Sequence, residues 1–111
     1  MADPTKGFAC EAGAQDFTAT AYRNDKGERW VTVKGVCSCR TSKFKLKLVP
    51  APPGIVPTTD ELHVNLTEDE PDAPVPEVIT PTHVEGKFEI WDEVERVVIR
   101  NRGFSVPIKE G

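Results

Sequence analysis

Apolar and cationic side chains alternate without a break in one stretch of the chain, Lys43-Phe44-Lys45-Leu46-Lys47-Leu48. Successive side chains of an extended strand point to opposite faces. This period of two therefore predicts a strand over residues 43–49 with one buried face and one solvated face. The same period returns over residues 61–67, where it predicts another strand of this kind. Half-buried β-strand is the structure that the pattern favours.

Weaker alternation predicts the remaining strands. Residues 16–23 and 28–37 are predicted to form a hairpin, because the Asn-Asp-Lys-Gly sequence between them is typical of a tight turn. A strand over residues 77–85 is interrupted at Pro81, which favours a position at a sheet edge. A short last strand is predicted over residues 104–108.

Residues 87–100 fit two different structures. Some of their apolar residues fall on helical spacing, which would give an amphipathic helix of about three turns. The apolar residues are also mainly aromatic or β-branched, which favours two strands, residues 86–91 and 95–101, joined as a hairpin. We take the hairpin as the prediction and the helix as its alternative.

Composition supports an all-β fold. The chain has 111 residues, enough for one domain, and its 13 Val and 5 Ile outnumber its 4 Leu. We predict a small antiparallel β-sandwich, an immunoglobulin-like Greek key of about seven strands, with a small open β-barrel as the alternative. Residues 1–15 are predicted to form a loosely held N-terminal arm, and residues 16–108 the single β-sandwich domain.

Charge is distributed unevenly along this acidic chain, whose formal net charge is -4. Eight basic and two acidic residues lie between Arg23 and Val49, whereas seven acidic residues and no Lys or Arg lie between Asp60 and Glu77. An acidic domain repels nucleic acid, and no apolar stretch approaches the roughly 20 residues that span a bilayer. We therefore expect no nucleic-acid partner and no membrane partner. The N-terminus lacks the pattern of a secretory signal, so with Met1 as the native start we expect a cytoplasmic protein.

Three lysines are predicted to project from one side of the strand over residues 43–49 and to form a lysine stripe, Lys43, Lys45 and Lys47. A cationic stripe on an acidic domain favours binding to another protein with an acidic surface. The competing interpretation is that the lysines keep the strand from pairing edge to edge with other molecules.

The Cys37-Ser38-Cys39 sequence is the strongest chemical signal. Residues two apart in a strand share a face about 6.6 Å apart with parallel side chains, so these two cysteines are not expected to bond to each other. Three hypotheses remain: reduced, partly buried thiols, which we favour; a disulfide from Cys10 to Cys37 or Cys39; and a zinc or copper site. The metal site would use Cys37, Cys39 and Cys10 with His63 or His83.

Motifs for catalysis are missing from the sequence. It has no nucleophile elbow, no phosphate-binding glycine loop and no zinc-protease helix motif. His63 is predicted on the outward face of its strand with Glu61 and Asn65, where a solvated surface role is the commoner one. The sequence therefore predicts a non-catalytic binding module of β-sandwich type, with a thiol or metal-binding protein as the main alternative and a small enzyme as the third.

Overall fold

A computed structural model describes residues 10–51, 60–71 and 75–111 of the chain. These residues form eight strands and two short 3-10 helices. The strands are β1 (Cys10–Glu11), β2 (Phe17–Arg23), β3 (Arg29–Cys39), β4 (Lys45–Pro50), β5 (Glu61–Asp69), β6 (Thr80–Ile90), β7 (Arg96–Ile99) and β8 (Phe104–Glu110), and the helices are Ala14–Asp16 and Arg100–Arg102. No α-helix occurs in the described part of the chain, and the predicted all-β class is confirmed.

The strands form one mixed sheet. Its hydrogen-bonded order is β1-β3-β2-β8-β7-β5-β4, and β6 pairs with β3. Two neighbouring pairs, β2 with β8 and β5 with β7, are parallel. The prediction of an antiparallel arrangement is therefore wrong at these two pairs, since a period of two indicates which face a side chain takes but not the direction of the neighbouring strand. The immunoglobulin-like Greek key is not confirmed.

Strand β8 joins the two halves of the sheet. Its first residues pair with β7, with Val97 opposite Val106, and its last residues pair with β2, with Ala19 opposite Ile108. Strands β4 and β6 also approach each other, because a Cβ atom added to Gly86 of β6 would lie 3.1 Å from the Cβ atom of Leu48. The sheet thus curves around its own apolar face.

The apolar face is built from the inward positions of the strands. The alternation in β3 is complete, since each odd residue is buried and each even one is partly or fully exposed. Eighteen residues form the core: Cys10, Phe17, Ala19, Ala21, Val31, Val33, Cys37, Cys39, Phe44, Leu48, Val64, Leu66, Val84, Ile90, Val94, Val97, Ile99 and Val106. Burial of these side chains is the main favourable contribution to folding.

Neither alternative predicted for residues 87–100 is correct. Two strands are present, but β6 pairs with β3 and β7 pairs with β5 and β8, so they do not form a hairpin. The buried guanidinium of Arg29 holds the connection between them, because its Nη1 donates to the carbonyl oxygens of Trp91, Asp92 and Val94 at 3.0–3.1 Å. These hydrogen bonds hold the chain where it turns away from β6. They join residues more than 60 positions apart, so the local sequence pattern could not distinguish this connection from a hairpin or a helix.

Strands β1 and β2 lie end to end along the same edge of β3. Glu11 is opposite Ser38 and Phe17 is opposite Gly35, so five residues, 12–16, stand where β3 supplies only two. We call residues 12–16 the insertion. Cys10–Glu11, within the arm predicted over residues 1–15, pair with β3, while residues 1–9 lie outside the described part. The loosely held arm stays a prediction.

Other boundaries also differ from the prediction. Strand β5 continues through Glu68 and Asp69, two residues beyond the predicted strand over residues 61–67. Strand β6 passes through Pro81 without interruption and pairs only with β3 among the described strands, as expected of an edge. Proline cannot donate a hydrogen bond to a ladder. It is tolerated in an edge strand because the open side of such a strand needs no donor.

We predict that Gly35→Ala destabilises the protein by about 1–3 kcal/mol, the usual cost of overpacking a core. A Cβ atom at this position would overlap the ring of Phe17, which is only 4% exposed and packs against Phe104. Urea denaturation measures the change. Ser38→Ala, on the exposed side of the same strand, should cost less than about 0.5 kcal/mol.

A double-mutant cycle tests the cause of this loss. In a Phe17→Ala background the clash is absent, so Gly35→Ala should then cost less than about 0.5 kcal/mol. An unchanged cost in that background would show that the ring of Phe17 is not the reason for glycine at position 35.

Candidate functional site

One face of the sheet is left uncovered by the described residues. Strands β2, β3 and β6 turn their polar and charged side chains to this side, which we call the outer face. It comprises Thr18, Thr20, Tyr22, Trp30, Thr32, Lys34, Val36, His83, Glu85, Lys87 and Glu89, all partly or fully exposed. We therefore take the outer face as the first surface to consider for a functional site.

A pocket of about 350 Å³ lies at one end of the outer face. Its lining consists of Asp16, Thr18, Lys34, Gly35, Val36, His83, Val84 and Glu85. The volume falls within the range of small-ligand sites. This pocket is the first candidate functional site.

The register of three strands explains which side chains meet there. Thr18, Lys34 and Glu85 lie in one row across β2, β3 and β6, and His83 lies opposite Val36 in the next row. The insertion replaces regular strand beside this second row. Extra residues of this kind bend a sheet locally and are frequent beside functional sites.

The pocket brings together groups of both charges. Two carboxylates, those of Asp16 and Glu85, share its wall with the Lys34 ammonium group and the His83 imidazole. Asp16 is fixed in part by its Oδ2 atom, which accepts a hydrogen bond from the Gly13 backbone N–H at 2.8 Å. This arrangement suits non-covalent binding of a polar ligand or segment that carries both donors and acceptors.

Aromatic side chains extend the outer face away from the pocket. Tyr22 lies directly opposite Trp30 across β2 and β3, and Tyr22 is 36% exposed. Trp91, just after β6, is 45% exposed. Tyrosine and tryptophan are enriched at protein interfaces because they combine a large apolar surface with a polar atom.

A second polar cluster lies on β5 and β7. The Arg96 Nε atom donates to Glu61 at 2.7 Å, and this bond is the main reason why the pKa of Arg96 is raised above its ordinary value. Glu61 also lies 3.1 Å from Nε2 of His63, while Arg100 Nε donates to Nδ1 of the same ring at 3.1 Å. The Nδ1 atom must therefore be unprotonated, and the proton lies on Nε2.

This hydrogen bonding decides what His63 can do. Both ring nitrogens are engaged, one by an arginine and one by a carboxylate, so neither is open to a metal ion or to a substrate proton. The cluster links β5 to β7, a parallel pair in which Glu61 faces Arg96. We interpret it as a structural connection.

The predicted lysine stripe is only partly formed. Lys43 precedes β4 and has a φ of 68°, so it does not share the regular strand geometry of Lys45 and Lys47. Lys45 lies opposite Asp69 of β5, and Thr67 donates its hydroxyl to the Lys47 carbonyl oxygen at 3.3 Å. The acidic segment of the chain itself thus flanks the stripe.

Cys10 and Cys39 form a disulfide, whereas Cys37 is a free, buried thiol. The favoured hypothesis of three reduced thiols is therefore wrong, and the alternative of an arm disulfide is found. The expectation that Cys37 and Cys39 do not bond to each other is confirmed. Pairing of β1 with β3 selects the partner, because it places Cys10 directly opposite Cys39.

The set of residues predicted to bind zinc or copper is not brought together in this oxidised form. Cys10 and Cys39 are joined in the disulfide and therefore offer no thiolate to a metal ion. His63 lies on β5, where Arg100 and Glu61 contact its ring nitrogens. No group of three His, Cys, Asp or Glu side chains arranged for a metal ion occurs among the described residues. A metal site built from the reduced cysteines stays a prediction.

A buried ion pair that the sequence analysis missed lies beside the disulfide. The side chains of Glu68 and Arg102 are 11% and 7% exposed and are 2.8 Å apart. Both also bind the backbone of Cys10, whose N–H donates to Glu68 Oε2 and whose carbonyl accepts from Arg102 Nη1. Charged residues normally indicate solvated surface, so only the even position of Glu68 on β5, in phase with Val64 and Leu66, could have signalled this role.

No protein-family model, curated protein or solved structure matches the chain. Among the described residues no helix has the length and apolar character needed to cross a membrane.

We predict that Glu68→Ala lowers the free energy of unfolding by about 3 kcal/mol, because it leaves Arg102 buried without its carboxylate. Glu70→Ala is the matched control two residues away. Glu70 is exposed and 3.8 Å from exposed Arg40, so its loss should cost less than about 1 kcal/mol. Equal losses in chemical denaturation would contradict the structural role of the buried pair.

Burial raises the pKa of the Cys37 thiol above its ordinary value of 9.0, with Glu68 and Asp16 adding to the effect and Arg102 opposing it. The unfolded chain then loses this proton at lower pH than the folded chain. The thiol's contribution to stability is complete below about pH 9 and is lost as pH rises through the folded-state value. Titration of the thiolate ultraviolet absorbance, wild type minus Cys37→Ala, should give a midpoint above 9.0; a midpoint below it would contradict the burial effect.

Proposed function

We propose that this protein is a non-catalytic binding module that contacts another protein through the outer face of β2, β3 and β6. The pocket at the insertion is the main support for this proposal. It brings acidic, basic and hydroxyl side chains together on a face that the described residues leave open. The Tyr22–Trp30 pair on the same face adds the aromatic surface that often dominates interface energetics.

The outer face is a better candidate for recognition than the lysine stripe. Lys45 faces Asp69, and Arg40 lies 3.8 Å from Glu70, so the charge of this region is partly balanced within the chain. An acidic surface on the partner, expected from the stripe, stays a prediction. The immunoglobulin-like sandwich likewise remains an interpretation of the architecture.

The disulfide bears on where the protein works. Disulfides form and persist in oxidising compartments and are rare in the cytosol. The Cys10–Cys39 bond therefore favours an oxidising compartment over the cytoplasmic location expected from the N-terminal sequence. The thiol count of protein purified from its native host under alkylating conditions would decide between the two.

Affinity capture from the native host, followed by mass spectrometry, tests the proposed surface. Val36→Asp places a charge on an exposed position in the pocket wall, and we expect it to reduce recovery of the specific partner about tenfold, equivalent to about 1.4 kcal/mol. The fold should remain intact, as checked by circular dichroism, because Val36 points away from the core.

The matched control moves the charge change to the other surface. A triple variant, with Lys43, Lys45 and Lys47 each replaced by Glu, should capture the partner as well as the wild type does. Loss of capture in the triple variant with normal capture by Val36→Asp would overturn the proposal and assign recognition to the lysine stripe. Failure of the wild type to capture any protein above the background of resin without bait would remove the binding function itself.

A further inference from the structure

The three cysteines lie together on the buried face of one strand pair. Cys37 and Cys39 are two residues apart on β3, both completely buried, and Cys10 of β1 lies opposite Cys39. A shift of β1 by one residue would turn Cys10 to the outer face, because strand side chains alternate. A shift by two residues, about 6.6–6.8 Å, keeps it on the inner face and brings it opposite Cys37.

The chain has the slack for such a shift. The insertion places five residues opposite two residues of β3. After a shift by two residues Cys10 would lie opposite Cys37, and Glu11 would leave the ladder because the position opposite Val36 lies directly beside Phe17. Residues 11–16 would then loop out opposite Val36 while Phe17 stays opposite Gly35. Strand β1 itself has only two residues. Short segments with few ladder bonds open locally at low free-energy cost, which gives the buried thiol access to the disulfide.

We propose that β1 has two registers, each locked by its own disulfide, and that thiol–disulfide exchange converts Cys10–Cys39 into Cys10–Cys37. The Cys37 thiolate attacks Sγ of Cys10, a Cys10–Cys37 bond forms, and the Cys39 thiolate leaves. Solvent takes the proton from Cys37 and returns one to Cys39. One disulfide and one thiol are present before and after, so no external oxidant or reductant is consumed.

Two contacts set the balance between the registers. Glu68 and Arg102 bind the backbone N–H and carbonyl of Cys10 in the observed register. A shift of β1 moves Cys10 away from these two side chains and breaks both hydrogen bonds. This loss opposes the exchange and makes Cys10–Cys39 the major form. Removal of the Glu68 carboxylate should therefore shift the population toward Cys10–Cys37.

The exchange would also change the pocket. Asp16 is the last residue of the insertion and Val36 is one of the two β3 residues opposite it, and both line the pocket. A shift of β1 shortens the span that residues 12–16 must cover and redirects Asp16. This regulatory consequence rests on the proposed function of the pocket, whereas the exchange itself does not.

Disulfide mapping of the whole oxidised protein tests the exchange. The protein is held at mildly alkaline pH, quenched with acid, alkylated and digested with pepsin without reduction. We expect a minor Cys10–Cys37 peptide with alkylated Cys39 in the wild type, rising at least about tenfold in Glu68→Ala but not in Glu70→Ala. Detection of Cys10–Cys39 alone in both the wild type and Glu68→Ala would overturn the proposal.

A second variant traps the shifted register. In Cys39→Ser, oxidised glutathione should accept two electrons from Cys10 and Cys37 and leave them joined by a disulfide. Two glutathionylated or free cysteines in this variant would overturn the two-register proposal. If the disulfide forms, hydrogen exchange should change at residues 12–18 and 34–36 but not in β4.

Partner capture separates the two proposals. A changed affinity of trapped Cys39→Ser would support regulation of the pocket by the disulfide. Unchanged affinity would overturn the regulatory link while leaving the exchange intact, and normal capture by Val36→Asp would overturn the pocket function independently of any disulfide mapping.

Discussion

Pairing of β3 along both of its edges is the constraint on which the rest of the structure depends. Its eleven residues, Arg29–Cys39, form a continuous ladder with β6 on one side and pair with β2 and β1 on the other. Every odd residue of β3 is therefore committed to the core and every even residue to the outer face. The core cysteines and the pocket follow from the same register, because a slip by one residue would exchange the two faces.

Two arginine side chains, those of Arg29 and Arg102, add hydrogen bonds between parts of the chain that strand pairing does not join. Arg29 binds three carbonyl groups after β6 and a carboxylate oxygen of Glu110 at the end of β8. Arg102 binds Glu68 and Cys10. Arg29 holds the segment between β6 and β7, which lies outside the ladders, whereas Arg102 connects β1 to β5. A charged group in a buried position is stabilised by the carbonyl and carboxylate oxygens that accept its hydrogen bonds.

The sequence was sufficient for those features that depend on alternation. Leu48, Val64 and Leu66 are buried where the period of two places them, and the turn over residues 24–27 forms with Gly27 at a φ of 81°. The period carries no information on the direction of neighbouring strands, so the parallel pairs were missed. Local pattern was also insufficient for Lys43, whose positive φ removes it from the stripe.

The candidate site was harder to predict because it arises from register and not from any local motif. Lys34 and Glu85 are 51 residues apart in the chain and meet only because β3 and β6 pair antiparallel. The disulfide partner of Cys10 also depends on strand register and could not be predicted from a local motif. Strand geometry excluded a bond between Cys37 and Cys39, but the choice between them as partner of Cys10 depended on where β1 joins the sheet.

Charge complementarity within the fold narrows the surfaces available for recognition. The acidic segment over residues 60–77 meets basic side chains across the structure. Glu70 lies beside Arg40 of the basic segment, and Asp60 and Glu68 pair with Arg96 and Arg102 near the end of the chain. A region whose opposite charges already face each other exerts little net long-range attraction on a partner. The outer face has no partner strand above it among the described residues, and this is why we propose it, in preference to the lysine stripe, as the surface for recognition by shape and short-range contacts.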